Sequence, residues 1–328
     1  MTHYYRPLIE ERGQFLLAGG WCRFSQIEIL ERGTEPRVCR AVDIPEEALL
    51  RLIVPRPDLG TDGMSRPQVM GIVNATPDSF SDGGQFDILP AAIAHAQTMQ
   101  RDGADIIDIG GESTRPGANY VDVADEITRT VPAVTGLRQE IALPLSIDTR
   151  KAGVAEAAVA AGADWINDVS ALSFDENMAR LVARSGAPIC LMHAPSDPKT
   201  MQQHTTYDDV LLDVYDYLAM RIEFALGNTI AREKIIVDPG IGFGKTLEHN
   251  LVLLRGLALF HGLGCPILLG ASRKRFIGTI SGAEQAEDRM PGSVAVALAA
   301  VAQGAQIIRV HDVLPTVQAL KLWAAVRG

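Results

Sequence analysis

The sequence has few aromatic residues, few cysteines and no excess of positive charge. Aromatic side chains make up 5% of its 328 residues, and its four cysteines form no Cys-x-x-Cys pair. The net charge at pH 7 is −10, so the surface repels nucleic acid and anionic lipid, and neither is expected as a partner. No apolar run reaches the length of a membrane span, and the N-terminus lacks the pattern of a signal peptide. We therefore expect a cytoplasmic protein with free thiols.

Several chemical motifs are also missing. The sequence has no HExxH motif and no nucleophile elbow, so zinc-dependent and serine-dependent hydrolysis are unsupported. A doubly wound sheet is the structural alternative, but the loop at 76–84 carries no GxGxxG motif. Residues 240–246 read GIGFGKT, yet a nucleotide P-loop requires glycine where Pro239 stands. We interpret this stretch as a loop in which Phe243 supplies a flat apolar wall for a ring.

Aliphatic residues are abundant and follow a regular alternation. Short apolar runs beginning near residues 69, 105, 144, 165, 188, 234, 266 and 306 predict strands, with helix-like stretches between them. Eight strands and eight helices over about 260 residues predict a (β/α)8 TIM barrel across residues 65–328. Residues 1–64 differ in composition. We treat them as an N-terminal extension of unknown role, with one or two strands, a short helix at 45–53 and a linker at 60–63.

Polar residues end nearly every predicted strand, where the active site of such a barrel forms. They are Asn74, Asp108, Asp148, Asn167, Asp168, His193, Asp238, Ser272, Arg309 and His311. A single Asp in this position is more often a helix cap. So many polar groups at one end instead predict a polar ligand. The side chains of Asp148, Asn167 and Asp238 match the donors and acceptor of a guanidine-like heterocycle.

Basic residues at the same end of the strands predict an anion site. Arg309 and His311 are two residues apart on one strand, so their side chains point the same way. Arg115 follows the second strand, and Arg273 and Lys274 follow the seventh. Arginine suits bidentate contact with phosphate. A salt-bridged core pair is the alternative for Arg309 and His311, but the mouth of the eighth strand commonly forms part of a phosphate site.

These residues lie in segments that resemble those of dihydropteroate synthases. The segments are MGIVNATPDSFSDGG (70–84), DIGGESTRPGA (108–118), SIDT (146–149), INDV (166–169), VDPGIGFGK (237–245), SRK (272–274) and IRVHD (308–312). They extend over nearly the whole predicted barrel. The resemblance implies an enzyme of folate biosynthesis that condenses 7,8-dihydropterin-6-ylmethyl diphosphate with 4-aminobenzoate. The products are 7,8-dihydropteroate and pyrophosphate.

The resemblance also implies roles for individual residues. The pterin-binding set is Asp148, Asn167, Asp238 and Lys274. The diphosphate-binding set is Asn74, Arg309 and His311, with Mg²⁺ near Asn74. The residues that frame the aminobenzoate are Thr114, Arg115, Pro116, Phe243, Ser272 and Lys274. The catalytic set is Asp148, Lys274, Arg309 and His311. A homodimer packed through the late helices is implied as well.

One segment departs from the family pattern. After Leu191-Met-His193 the family usually continues with Met-Gln-Gly, whereas this chain reads Ala194-Pro-Ser-Asp197. The altered segment keeps open a catalytically inactive pterin-binding paralogue as an alternative function. A methyltetrahydrofolate–corrinoid methyltransferase is a second alternative. It would share the pterin-binding residues but would need neither the SRK segment nor the anion site of Arg309 and His311.

Overall fold

The computed structural model describes residues 3–61, 63–75, 88–113, 117–196 and 199–327, and the chain begins with a small antiparallel sheet and a helix. The elements are β1 (Tyr4–Glu10), β2 (Phe15–Leu16), β3 (Arg23–Leu30), β4 (Arg37–Arg40) and α1 (Glu46–Ile53). Strand β3 pairs antiparallel with the other three. The predicted helix is present, but the prediction of one or two strands was too low. Strands β2 and β4 have two and four residues, too few to show an alternating pattern.

Eight parallel strands follow and form a barrel. They are β5 (Gln68–Asn74), β6 (Ile106–Gly110), β7 (Leu145–Asp148), β8 (Trp165–Asp168), β9 (Ile189–Met192), β10 (Ile235–Asp238), β11 (Leu268–Leu269) and β12 (Ile307–Val310). Their order is β10-β9-β8-β7-β6-β5-β12-β11, and a parallel bridge between Val237 and Ile267 joins the two ends. The predicted (β/α)8 barrel is confirmed, and the closed sheet excludes the doubly wound alternative.

Helices surround the strands and bury their outer faces. They are α2 (Ile88–Asp102), α3 (Val123–Glu140), α4 (Ala152–Ala160), α5 (Met178–Ser185), α6 (Val210–Gly227), α7 (Leu247–Arg255), α8 (Arg275–Ser281), α9 (Met290–Val301) and α10 (Val313–Arg327). Strands covered in this way carry apolar side chains on both faces, and every residue of β6 to β10 is buried. Within the described ranges, no helix combines the length and apolar character needed to cross a membrane.

The segment before β5 closes the end of the barrel at which the strands begin, opposite the end that carries the predicted site residues. Leu59 and Met64 are 5% and 3% exposed. They pack against side chains from the first halves of the strands: Met70, Ile106, Trp165, Cys190, Ile236, Leu268 and Ile307. The Trp165 indole N–H also donates a hydrogen bond to the Leu59 carbonyl oxygen at 2.8 Å. The stretch predicted to be a linker is thus flanked by two side chains of the barrel core.

Replacing Leu59 with Ala is expected to lower the free energy of unfolding by about 2–4 kcal/mol, because it leaves a cavity at the closed end of the barrel. Leu50 in α1 is 46% exposed, so Leu50→Ala is the matched control and should change stability by less than about 0.5 kcal/mol. Urea unfolding followed by tryptophan fluorescence measures both. Equal losses in the two variants would contradict the role given to Leu59.

Polar bonds attach the N-terminal sheet to the side of the barrel. The Tyr4 hydroxyl donates to Asp216 of α6 at 2.8 Å, and Arg32 pairs with Asp213 and Asp216 of the same helix. The Trp21 indole N–H donates to the Val301 carbonyl oxygen at 2.7 Å. The sheet also has an apolar cluster of its own, formed mainly by side chains of residues 17–29 and α1. The division of the chain at residue 64 stays a prediction.

Candidate active site

The C-terminal ends of β5 to β8 bring predicted site residues into one row. In the Cα register, Asn74 lies opposite Gly110, Gly110 opposite Asp148, and Asp148 opposite Asn167. Asp148 and Asn167 are buried, whereas Asn74 is half-buried. A Cβ atom at Gly110 would lie 3.6 Å from the Asp148 Cβ, so the glycine leaves space beside the carboxylate. Three residues predicted from separate motifs therefore line one wall of the barrel mouth.

Arg309 reaches across from β12 to two carboxylates. Its Nε donates to Oδ2 of Asp108 at 2.6 Å, and its Nη2 donates to Oδ2 of Asp148 at 2.9 Å. The side-chain amide of Asn167 donates to the same oxygen of Asp108 at 3.2 Å. Among the described residues, the Oδ1 atoms of Asp108 and Asp148 are buried and have no hydrogen-bond partner. Buried acceptor atoms without partners favour the binding of a ligand that supplies N–H donors.

This pairing modifies the sequence-based interpretation of Arg309. Arg309 forms ion pairs, as the alternative interpretation expected, but it pairs with Asp108 and Asp148 rather than with His311. The two carboxylates outweigh the effect of burial and raise the pKa of Arg309. A guanidinium has five N–H donors, and the two bonds described use only two of them. Contact with a diphosphate stays a prediction, and the observed pairing is compatible with it.

Burial shifts the acid–base equilibria of this site towards neutral side chains. It raises the pKa of Asp148 to about 7, although the charge of Arg309 opposes the shift. It lowers the pKa of Lys274 to about 7, against the attraction of Asp238. Burial also raises the pKa of Asp238, which accepts a hydrogen bond from the Gly240 N–H at 2.7 Å. Ionisable groups whose pKa is shifted by desolvation, beside partners of opposite charge, are characteristic of functional sites.

A second wall of the site is formed by the loops after β10 and β11. The Lys274 ammonium lies 4.2 Å from the centroid of the Phe243 ring and donates to the Ile241 carbonyl oxygen. The Ser272 hydroxyl oxygen accepts from the His311 backbone N–H at 3.2 Å and lies 3.0 Å from Nδ1 of His311. The structure thus brings Phe243, Ser272, Lys274 and His311 together. The predicted residues Thr114, Arg115 and Pro116 lie outside the described residues.

Arg273 has a different role from the one expected. The sequence placed it in the anion site with Lys274, but its guanidinium makes two bonds to Asp312, at 2.6 and 3.0 Å. Its backbone has a φ of +58°, a left-handed conformation that is unfavourable for an arginine. The hydroxyl oxygen of Ser293 accepts the Arg273 backbone N–H at 2.8 Å. Arg273 therefore fixes the turn between β11 and α8.

Three glycines determine the shape of the loop after β10. Gly240, Gly242 and Gly244 have φ values of +69°, +83° and +57°. A Cβ atom on Gly240 would lie 1.9 Å from the His193 carbonyl oxygen, and one on Gly244 would lie 2.2 Å from Cγ of Pro195. The glycines therefore allow close packing against the neighbouring loop, including the segment that departs from the family pattern. This packing explains the GIGFG sequence without a nucleotide.

Replacing Gly240 with Ala is expected to destabilise the protein by about 3 kcal/mol or more, because left-handed strain adds to a clash with backbone. Gly186, the residue after α5, has a φ of +68° but nothing within 4 Å of an added Cβ. Gly186→Ala is therefore the matched control and should cost only about 1–2 kcal/mol. Thermal and chemical denaturation compare the two variants. A loss at Gly240 no larger than at Gly186 would contradict the packing argument.

Comparison with known proteins agrees with the geometry of the site. A family model described as pterin binding enzyme matches residues 70–311. A dihydropteroate synthase of Neisseria meningitidis serogroup B is 49% identical over 272 residues, which cover 80% of this chain and 94% of that protein. The Synechocystis enzyme is 47% identical over 261 residues, 80% of this chain and 90% of that one.

Solved structures give the same result. A Xanthomonas albilineans dihydropteroate synthase with 4-aminobenzoic acid has a TM-score of 0.77 and 47% identity, covering 81% of this chain and 95% of that one. The same species' enzyme in complex with 7,8-dihydropteroate has a TM-score of 0.76 and 44% identity, covering 84% and 99%. The matched family region includes the strand-end residues described above. The chain belongs to the dihydropteroate synthase family of pterin-binding enzymes.

Proposed function

We propose that this site condenses 7,8-dihydropterin-6-ylmethyl diphosphate with 4-aminobenzoate to give 7,8-dihydropteroate and pyrophosphate. The observation that carries the proposal is the buried group of Asp148, Asn167 and Asp238, bordered by Lys274 and Arg309. It combines acceptors for a flat heterocycle with cations for an anionic leaving group. The relatives are named for this activity.

The buried acceptors fit the hydrogen-bonding face of a pterin. The 2-amino group and ring N–H of a pterin are donors, and the Oδ1 atoms of Asp108 and Asp148 are buried acceptors without a partner among the described residues. Asp238 adds a carboxylate, and Asn167 and Lys274 supply donors for the ring carbonyl and ring nitrogens. The X. albilineans structure with 7,8-dihydropteroate supports this placement, since its sequence is 44% identical.

The reaction separates charge, and this site can stabilise both parts. The C–O bond between the pterin methylene and the diphosphate breaks, and its electron pair leaves with the diphosphate. The carboxylate of Asp148 stabilises the cation left on the pterin, while Arg309 and His311 stabilise the departing anion. The aminobenzoate nitrogen then attacks the methylene carbon and loses one proton to solvent. A neutral arylamine has a free lone pair, so it requires little help from a base.

Mg²⁺ is proposed as the cofactor, with Asn74 as its contact on the protein. Mg²⁺ prefers oxygen ligands and usually retains several waters alongside substrate phosphates, so it needs few protein groups. The half-buried amide of Asn74 at the end of β5 offers one such oxygen. In the described part of the chain, no group of three or more His, Cys, Asp or Glu side chains could hold a metal. When bound, the ion would neutralise charge on the diphosphate.

The arylamine is proposed to lie against Phe243, Ser272 and Lys274, with Thr114, Arg115 and Pro116 completing its site. Support comes from the 47% identical X. albilineans structure with 4-aminobenzoic acid. A Yersinia pestis relative, also 47% identical, has been solved as a sulfonamide drug complex, so we propose that sulfonamides compete for the same position here. Residues 194–196, which differ from the family pattern, line a cavity of about 360 Å³, and Phe243 lines the same cavity.

A homodimer and a cytoplasmic location belong to the same proposal. Exposed apolar side chains on the late helices support a dimer. They are Ile280, Leu314, Leu322 and Val326, with exposed fractions of 59%, 43%, 66% and 80%. Such side chains are favoured at interfaces between subunits. All four cysteines are free thiols, which supports a reducing compartment.

The deciding experiment is an assay of pyrophosphate release by the purified protein with dihydropterin diphosphate and Mg²⁺, with and without 4-aminobenzoate. Release that depends on the amine, together with formation of dihydropteroate, is the expected result. Binding of pterin without turnover would instead identify an inactive paralogue, and restoring Met-Gln-Gly at 194–196 would be the next step. Methyl transfer from methyltetrahydrofolate to a corrinoid would identify the second alternative.

A further inference from the structure

A lysine and a histidine outside the proposed substrate-binding sets form a buried pair behind the site. Lys245 and His193 are both 5% exposed. The Lys245 Nζ lies 2.9 Å from Nδ1 of His193, 3.0 Å from the Phe243 carbonyl oxygen and 3.4 Å from the His193 carbonyl oxygen. The described residues place no carboxylate within salt-bridge distance of this nitrogen. A buried lysine without a paired acid calls for an explanation.

The geometry identifies the bonding pattern of the pair. An ammonium group has three N–H donors, and the three oxygen and nitrogen atoms around Nζ can each accept one. Burial and the nearby lysine lower the pKa of His193 to about 2, so its ring is neutral. The ring contacts Tyr217 edge-on, with centroids 4.7 Å apart. Although burial lowers the pKa of Lys245, the complete set of acceptors favours its charged form.

The pair is linked to both substrate positions. The Phe243 carbonyl oxygen that accepts from Lys245 belongs to the residue proposed to face the arylamine. On the pterin side, a Cβ atom on Gly240 would lie 3.3 Å from the Lys245 Nζ, and the Gly240 N–H donates to Oδ1 of Asp238 at 2.7 Å. The His193 backbone N–H donates to the Asp238 carbonyl oxygen at 3.0 Å. Lys245 thus lies directly behind the loop that carries these contacts.

Other bonds hold the same loop, so its conformation depends on several elements. The Gln202 amide donates to the Gly242 carbonyl oxygen at 3.0 Å, and the Tyr207 hydroxyl donates to the Gly244 carbonyl oxygen at 2.9 Å. The Gly242 N–H donates to the Asn250 side chain at 2.6 Å. Each of these neighbours is neutral. The charged groups that contact this loop are Lys245 and Lys274, and of these Lys245 is the one outside the proposed substrate-binding sets.

We propose that Lys245 is a positioning residue for both substrates. Held by His193, it fixes the loop at 240–244 so that Phe243 faces the arylamine, and its positive charge behind Gly240 supports the carboxylate form of Asp238 that binds the pterin. This inference rests on the proposed function. A merely structural lysine would affect stability alone, whereas a positioning residue affects substrate affinity and its dependence on pH.

The pH dependence follows from the charges that face Asp238. They are Lys274 from the β11–α8 loop, Lys245 from the β10–α7 loop and Arg309 from β12, and each opposes the effect of burial on its pKa. Cys190 of β9 is a neutral thiol, because burial raises its pKa. Removal of the Lys245 charge would raise the pKa of Asp238 further. Pterin affinity needs the carboxylate form of Asp238. On acidification, a protein without the Lys245 charge would therefore lose this affinity at a higher pH than the wild type does.

The test is Lys245→Met in the full chain, since methionine keeps the length of the side chain and removes the charge. We expect the KM for 4-aminobenzoate to rise about tenfold, and the acid limb of the pH profile of 6-hydroxymethyl-7,8-dihydropterin binding to move to higher pH. Lys234→Met is the matched control, because Lys234 precedes β10 at the opposite end of the barrel. It should leave both quantities unchanged.

A second pair of variants keeps the inference testable if Lys245→Met does not fold. His193→Asn retains an acceptor near the position of Nδ1 and should preserve the pH profile of pterin binding. His193→Leu removes that acceptor and should shift the profile as Lys245→Met does. A lower melting temperature with unchanged KM and pH profile would overturn the inference. If wild-type protein binds the pterin but releases no pyrophosphate, the proposed function fails, while the pH shift in pterin binding still tests Lys245.

Discussion

Replacement of Asp148 with Asn is expected to reduce kcat/KM by about 10³-fold, the loss typical when one preorganised charged group is removed from an active site. The carboxylate accepts from Arg309 at 2.9 Å and has a second buried oxygen without a partner among the described residues. An amide of the same shape cannot offset a cation developing on the pterin. Steady-state kinetics with both substrates measures the effect. Full activity in Asp148→Asn would remove this residue from the mechanism.

The same variant should change how stability depends on pH. Burial raises the pKa of Asp148 from 3.8 to about 7 in the folded protein. Between these values the folded state binds more protons than the unfolded state, so stability falls as the pH rises from about 4 to about 7 and is constant above that range. Asp148→Asn should lose this part of the slope. Urea unfolding at a series of pH values measures it.

A control for Asp148→Asn is available on the surface. Asp43 forms an exposed ion pair with Arg40 in the N-terminal region, far along the chain from the strand ends. Asp43→Asn should leave both kcat/KM and the slope of stability between about pH 4 and pH 7 unchanged, because an exposed pair contributes little. A similar loss of activity in this variant would indicate a general effect of reduced charge rather than a role of the site.

The sequence predicted the barrel and the location of the site because both follow from local patterns. All eight strands were expected within about two residues of where they occur, since each apolar run is bounded by turns and helices. The motifs at the ends of the strands placed Asp148, Asn167, Asp238 and Lys274 at the same end of the barrel. That placement requires only parallel strands of the same direction.

Contacts across the barrel could not be read from the chain. Asp108 was recognised as a polar strand end, but the length and direction of the Arg309 side chain make it the partner. Similarly, no motif in the sequence singled out Lys151, which precedes α4. The structure buries it between Glu112 and Glu126, at 3.0 and 2.5 Å. Long charged side chains find partners distant in sequence, and no local spacing reveals them.

Replacement of Arg309 with Met is expected to lower the free energy of unfolding by about 3–5 kcal/mol at about pH 9, above the pKa of about 7 that Asp148 has beside Arg309, because it leaves two buried carboxylates without a cation. Asp108 is fully buried, and Asp148 is 7% exposed. The loss should shrink as the pH falls, since protonation of Asp148 removes one of the unpaired charges. Chemical denaturation at about pH 9 and at acidic pH measures this change. A loss independent of pH would show that packing rather than charge is responsible.

Stability and catalysis at Arg309 can be separated by a second substitution. Adding Asp108→Asn to Arg309→Met removes one of the unpaired charges, so stability should largely return. Activity should not return, because the proposed leaving group still lacks the guanidinium, and kcat/KM should stay at least about 10²-fold below wild type. If activity recovers together with stability, Arg309 acts only by neutralising Asp108 and Asp148, and His311 alone must stabilise the departing diphosphate. Persistent inactivity in a stable double variant would assign Arg309 to the chemical step.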